Sequence, residues 1–249
     1  MFRSCAYNSN LIYTAEESGY VHRVDLRESR VDVVLKYLVS GESNNSRQLQ
    51  GVKQLLQPSL NNDSGHFMIV GGASTLDIAE IDLRFVQLER STLHNAVRVF
   101  CPKHVDAHPP IGQSRSDISV SGLAMSQDGH KLVASYQGEQ IYIYDYHGES
   151  SWRDRKVSGV AWASEGPEPH GPVATLGGHV NHSTFLKTVS FFGPKEEYVL
   201  SGCDSGALWI WDSSSGGWGF SDEGTLVHDP VTVVNVLDAG AIHVLCSGV

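Results

Sequence analysis

The sequence predicts an all-β fold built from repeated units. Three observations carry that reading. Helical periodicity is almost absent, while short apolar runs rich in Val, Ile, Tyr and Leu recur between turn residues. The 25 glycines are about one residue in ten, above the usual ~7%, which implies many turns. Segments of the chain also resemble one another at long, fairly regular intervals.

The apolar runs place the strands. They include Leu11-Ile12-Tyr13-Thr14, Phe67-Met68-Ile69-Val70, Ile141-Tyr142-Ile143-Tyr144 and Leu208-Trp209-Ile210-Trp211. The segment from Leu11 ends in Val24-Asp25-Leu26-Arg27, and that from Phe67 ends in Ile81-Asp82-Leu83-Arg84. Each reads as an apolar strand, a small polar turn, a second strand and then Asp-Leu-Arg. A third unit runs from Leu132 to Asp145 and a fourth from Tyr198 to Asp212. The closing residues Asp25, Asp82, Asp145 and Asp212 are spaced by 57, 63 and 67 residues.

The fourth unit carries the most specific signature. Gly178-His179 precedes Trp211-Asp212, with Ser201-Gly202-Cys203-Asp204 between them. That is the pattern of a WD40 blade, whose usual length is about 40–45 residues. An indole N–H and an imidazole drawn into a sheet need hydrogen-bond partners. His179, Ser201, Asp204 and Trp211 are therefore expected to form a structural network, with Ser201 and Asp204 as the partners. Ser126-Gln127-Asp128-Gly129 fits the turn between a blade's first two strands.

The expected organisation is a single partial WD40 propeller over residues 1–249. Blade units fall at about 2–40, 51–100, 118–176 and 186–228, and a fifth begins at 231 and breaks off by 249. The excess over one blade length sits in polar, Pro/Gly-rich insertions at 41–50, 101–117 and 148–172. Four blades and part of a fifth make the propeller incomplete, since the family these features resemble implies a ring of seven. An open arc exposes strand edges that ring closure removes. The expectation is therefore a fragment or truncated version of a longer protein, or a ring that closes only with help.

Composition bounds the function. The 18 Lys+Arg against 28 Asp+Glu give a formal charge of −10, which argues against direct nucleic-acid binding. Apolar residues at 41% and charged residues at 18% make a foldable mixture. No run of about 18 apolar residues suits a helical membrane span, and no membrane partner is expected. The first residues lack the charged-then-apolar pattern of a signal peptide. The four cysteines (Cys5, Cys101, Cys203 and Cys246) are unpatterned and read as reduced thiols. The expected location is intracellular, nucleus and/or cytoplasm. The sequons at Asn44, Asn62 and Asn181 then read as chance matches.

The order of features is more specific than a generic propeller. After the two Asp-Leu-Arg units come Val99-Phe100-Cys101-Pro102-Lys103-His104 and Leu132-Val133-Ala134-Ser135-Tyr136. Gly178-His179-Val180-Asn181 and Phe191-Phe192-Gly193-Pro194-Lys195-Glu196-Glu197-Tyr198-Val199-Leu200-Ser201-Gly202 follow. From about residue 2 to 248 this series resembles the cullin-4-associated substrate receptors, within them the factor 8 branch, also called WD-repeat protein 42. The resemblance implies a substrate-receptor subunit of a cullin-4 RING ubiquitin ligase, non-enzymatic and without a cofactor. Its implied partners are the adaptor that bridges to cullin-4 and an unidentified protein substrate. In that family an Asp-x-Arg at the end of a blade's third strand helps dock the adaptor. The resemblance places this role on Asp25, Arg27, Asp82 and Arg84. The residue before each Asp is Val24 or Ile81, where the strict motif has Trp.

The same residues permit other readings. A WD40 scaffold unrelated to the ligase, binding chromatin or histone tails for example, uses the same fold. His179, Ser201 and Asp204 have the residue types of a hydrolase triad, without a Gly-x-Ser-x-Gly elbow. Cys101, His104 and His108 have zinc-compatible spacing but no evident fourth ligand, so no metal site is assigned. Gly216-Gly217-Trp218-Gly219 lacks the Lys-Ser/Thr of a phosphate loop. Trp152, Arg153, Arg155, Trp162 and Trp218 are candidates for partner contact from loops.

Overall fold

A computed structural model of the chain describes residues 2–5, 8–40, 47–56, 65–102, 117–148, 166–179, 181–182, 188–213 and 232–234. The chain divides into two compact units, 1–120 with 149–171, and 121–148 with 172–249. Among the described residues there are four four-stranded antiparallel sheets, a two-stranded ribbon and one single-turn helix.

The first unit holds two of these sheets. In the first, β1 (Phe2–Cys5), β2 (Asn8–Ala15), β3 (Tyr20–Asp25) and β4 (Arg30–Lys36) pair in chain order. The β2–β3 turn rests on Gly19, whose φ of +91° suits glycine. A Cβ there would also meet the Gln50 carbonyl oxygen at 2.6 Å. The second sheet is built from β7 (Val52–Leu56), β8 (Phe67–Gly72), β9 (Ile78–Asp82) and β10 (Ala96–Phe100). Alternation of side chains along the strands directs Tyr13, Val21, Leu35, Val52, Leu55, Met68, Val70, Ala79 and Ile81 into one shared core, together with Tyr37.

A ribbon of β5 (Leu38–Ser40) and β6 (Arg47–Leu49) follows the first sheet. β6 lies inside the expected 41–50 insertion, so that stretch is partly regular structure. The ribbon is tied to the helix α1 (Thr92–Asn95): Leu38 N–H donates to Thr92 Oγ1 at 2.9 Å, and Arg47 donates to the Glu89 carbonyl at 2.8 Å. Ser91 caps α1 by accepting from His94 N–H.

The second unit holds the other two sheets, with β11 (Ser119–Met125) straddling its start. β11, β12 (Lys131–Gln137), β13 (Ile141–Asp145) and β14 (Ala174–Leu176) pair in order. Tyr136, Tyr142, Tyr144 and Tyr146 are all buried, which requires their hydroxyls to find partners. Tyr136 and Tyr144 hydroxyls meet at 3.2 Å, and Tyr142 donates to Glu139 at 3.1 Å. The fourth sheet joins β15 (Val189–Phe192), β16 (Tyr198–Gly202), β17 (Leu208–Asp212) and β18 (Thr232–Val234). Val133, Ile141, Ile143, Ala174, Leu176, Val189, Val199 and Trp211 form the core of this unit.

β18 corrects one expectation. The sequence pattern opens a fifth unit at 231–249 and ends the fourth near 228. Thr232, Val233 and Val234 instead pair with Ile210, Trp209 and Leu208, completing the fourth sheet. The apolar run is read as a first strand or a last strand equally well from sequence; its partner β17 decides it. Residues 235–249 lie outside the described residues.

Candidate functional site

The two Asp-Leu-Arg segments fold alike. Each aspartate ends the third strand of its sheet and accepts the backbone N–H two residues on. Arg27 N–H reaches Asp25 Oδ1 at 2.9 Å, and Arg84 N–H reaches Asp82 Oδ1 at 3.0 Å. This side-chain-to-backbone turn folds the arginine back beside the carboxylate. Arg84 then grips Asp82 in a fork, Nε to Oδ1 at 2.9 Å and Nη2 to Oδ2 at 2.6 Å. Arg27 makes a looser contact, Nη2 to Asp25 Oδ2 at 3.5 Å.

The electrostatics follow from the geometry. The Arg84 guanidinium holds the Asp82 carboxyl below the usual carboxylate range. At Asp25 the lowering comes first from the Arg27 backbone N–H. In both turns the acid is the covered partner: Asp25 and Asp82 side chains are 16% and 8% exposed, against 61% and 47% for Arg27 and Arg84. Each pair therefore presents its donor end to solvent.

A related turn closes the third sheet. Asp145 Oδ1 accepts from His147 N–H at 3.1 Å and Gly148 N–H at 2.8 Å. His147 stands where the first two sheets have arginine. In the fourth sheet the same position is Ser214, outside the described residues.

Three of the four residues of the expected blade network, His179, Ser201 and Trp211, lie together, with different partners from those expected. His179 Nε2 lies 2.8 Å from the Gly202 carbonyl oxygen, and Ser201 Oγ is 3.5 Å from the same nitrogen. The His179 ring meets Trp211 edge-on at 6.0 Å between centroids. The Trp211 indole N–H donates to the Gly177 carbonyl at 3.1 Å, not to Ser201 or Asp204. Asp204 accepts the backbone N–H of His182 at 2.6 Å. A buried indole needs one acceptor, and the backbone just before His179 supplies it. The interactions of the set run into the sheet.

One buried polar residue near this set is not singled out by the sequence. Asn181 is buried, and its amide donates to Ser121 Oγ at 3.0 Å and to the Tyr136 carbonyl at 3.3 Å. The sequence reading gives it no structural role, naming it only in a chance sequon and in the Gly178-His179-Val180-Asn181 stretch. Its place two residues after His179 was the available signal.

The remaining candidates divide by position. Cys101 and Cys203 are buried free thiols. The Cys101 N–H donates to the His170 carbonyl at 3.0 Å, and His170 N–H returns a bond to Val99 at 2.7 Å. His104 and His108 lie outside the described residues, as do Trp152, Arg153, Arg155, Trp162, Trp218 and Cys246. Among the described residues no group of three or more His, Cys, Asp or Glu could hold a metal ion.

Repeated four-stranded antiparallel sheets, each a chain-order meander, define the class: an all-β protein of the WD40 β-propeller type. No protein-family model matches the chain. Among solved structures it is similar to Kluyvelomyces marxianus Hsv2, with a TM-score of 0.51 and 10% sequence identity. The match covers 94% of this chain and 59% of that one, so the chain spans a little over half the length of that structure.

Proposed function

We propose that this chain is a protein-binding propeller that serves as a substrate receptor of a cullin-4 RING ubiquitin ligase. The observation that carries the reading is the pair of Asp-Leu-Arg turns. Two sheets of one unit repeat the same aspartate-to-arginine fold, at the same strand end, with the guanidinium outward. Arginine held this way offers a planar set of donors whose conformational freedom is already reduced before binding. The motif-by-motif resemblance to the cullin-4-associated receptors assigns those arginines to the adaptor.

The mechanism is positional. One surface holds the adaptor and another holds a target protein, so that a target lysine stays near the ubiquitin-charged enzyme. The gain is effective concentration, not chemistry. We read the chain as non-enzymatic, its partners as proteins, and its location as the nucleus and/or cytoplasm. The propeller fold is also that of a general protein-interaction scaffold, which is the second reading.

Affinity capture of the tagged chain from cells, wild type against Arg27→Ala plus Arg84→Ala, tests the assignment. The wild type is expected to carry adaptor and cullin-4, and the double variant to lose most of both. Full retention by the double variant overturns the arginine assignment. Absence of adaptor and cullin-4 from the wild-type complex leaves the scaffold reading.

A further inference from the structure

Each Asp-Leu-Arg turn also exposes one large apolar side chain next to its arginine in the chain. Leu26 is 54% exposed, and Phe85 at 74% is the most exposed large apolar residue among those described. The two turns reach this arrangement differently. In the first, the residue between Asp and Arg points out. In the second, Leu83 packs against the core and Phe85 takes the outward place. The Phe85 N–H donates to the Asp82 carbonyl at 3.1 Å, which ties its backbone into the same turn.

Phe85 is also coupled to the arginine itself. The Arg84 guanidinium carbon lies 5.5 Å from the Phe85 ring centroid and 5.8 Å from that of Phe67. With its edge on Asp82 and rings close by, Arg84 is held before any partner arrives. What faces water at both turns is apolar carbon beside nitrogen donors, with the carboxylate oxygens turned in. That chemistry complements a protein surface with an apolar recess rimmed by carboxylate or carbonyl oxygens. Arginine and aromatic residues, Phe among them, are enriched in protein interfaces, and fully desolvated pockets at their centre carry most of the binding energy.

We propose that Leu26 and Phe85 are the apolar anchors of the adaptor-docking surface, each seated in an apolar recess of the adaptor while Arg27 and Arg84 bond acceptors at its rim. This rests on the ligase reading above. Residue 26 is read from sequence only as the spacer of the motif, and residue 85 lies beyond it, so neither was singled out there.

The test measures binding of the purified full chain to the purified adaptor by biolayer interferometry. Five forms are compared: wild type, Leu26→Ser plus Phe85→Ser, Arg27→Ala plus Arg84→Ala, Phe85→Leu and Phe192→Ser. Phe192 is an exposed aromatic on β15 and serves as the control. The apolar double variant is expected to weaken Kd at least tenfold with little change in salt dependence. The arginine double variant is expected to weaken it and to flatten the salt dependence. Phe192→Ser is expected to stay within twofold, and Phe85→Leu to retain most of the affinity. If the arginine variant loses binding while the apolar variant matches the control, the anchors are refuted and the ligase reading stands. If the wild type does not bind the adaptor, both fall.

Discussion

Trp211 and Trp209 are neighbours on β17, stacked at 5.9 Å between ring centroids, and they differ in one respect that stability measurements can isolate. The buried Trp211 N–H donates to the Gly177 carbonyl, whereas the buried Trp209 N–H has no hydrogen-bond partner among the described residues. Trp211→Phe removes that bond and leaves the Gly177 carbonyl without its indole donor, for about 1–3 kcal/mol. The smaller ring leaves a gap in a fully buried site, for about 1 kcal/mol more. The expected loss is therefore about 2–4 kcal/mol. Trp209→Phe deletes a polar N–H without a partner among the described residues and keeps a ring to stack on Trp211, so its cost is expected below about 1 kcal/mol. Urea unfolding followed by far-UV circular dichroism reads both, because the signal does not depend on which tryptophan is left. At slopes of about 1–3 kcal/mol/M the Trp211 variant should unfold about 1 M earlier than wild type. Equal destabilisation by the two substitutions would show that ring volume, not the hydrogen bond, sets the cost, and the reasoning would be refuted.

Two further outcomes are expected. Arg84 lowers the Asp82 carboxyl in the folded state, so this pair adds stability above the unfolded carboxylate value of about 3.9 and loses it as pH falls through the lower folded value. Asp82→Asn should therefore lower the urea midpoint at pH 7, and the difference from wild type should shrink as the pH falls below the unfolded carboxylate value; parallel curves at all pH values would contradict the assignment. A Cβ on Gly72 would meet the Tyr37 ring at 2.5 Å, so Gly72→Ala should cost about 1–3 kcal/mol by overpacking, visible as a lower Tm by scanning calorimetry.

Where side-chain pattern alone determines an element, the sequence was sufficient. Apolar runs bounded by Gly, Ser, Asn and Asp located the inner strands, because alternation and turn chemistry are local. Asp25 and Asp82 were legible as a repeated strand end for the same reason. Longer-range choices were not legible. Thr232–Val234 has the same β-forming side chains whether it begins one sheet or ends another, and only pairing with Ile210, Trp209 and Leu208 distinguishes them. The partner of the Trp211 indole is a backbone carbonyl, which every residue carries and which no sequence pattern can mark. The outward turn of Phe85 depends on Leu83 having filled the core position, a matter of packing.

Every strand in the four sheets has as its sheet neighbour a strand adjacent to it in the chain. Each sheet can therefore zip from one hairpin outward, without first bringing distant parts of the chain together. Short closures are entropically cheap, and cost rises only logarithmically with length. The steps are nonetheless unequal. β16 and β17 join through a short turn, while β18 must return across the stretch from Asp212 to Thr232 to pair over three residues. Hairpin formation in the fourth sheet should thus precede arrival of its last strand. The amides of Thr232–Val234 are then the first of that sheet to exchange with solvent deuterium, and those of Val199 and Trp211 among the last.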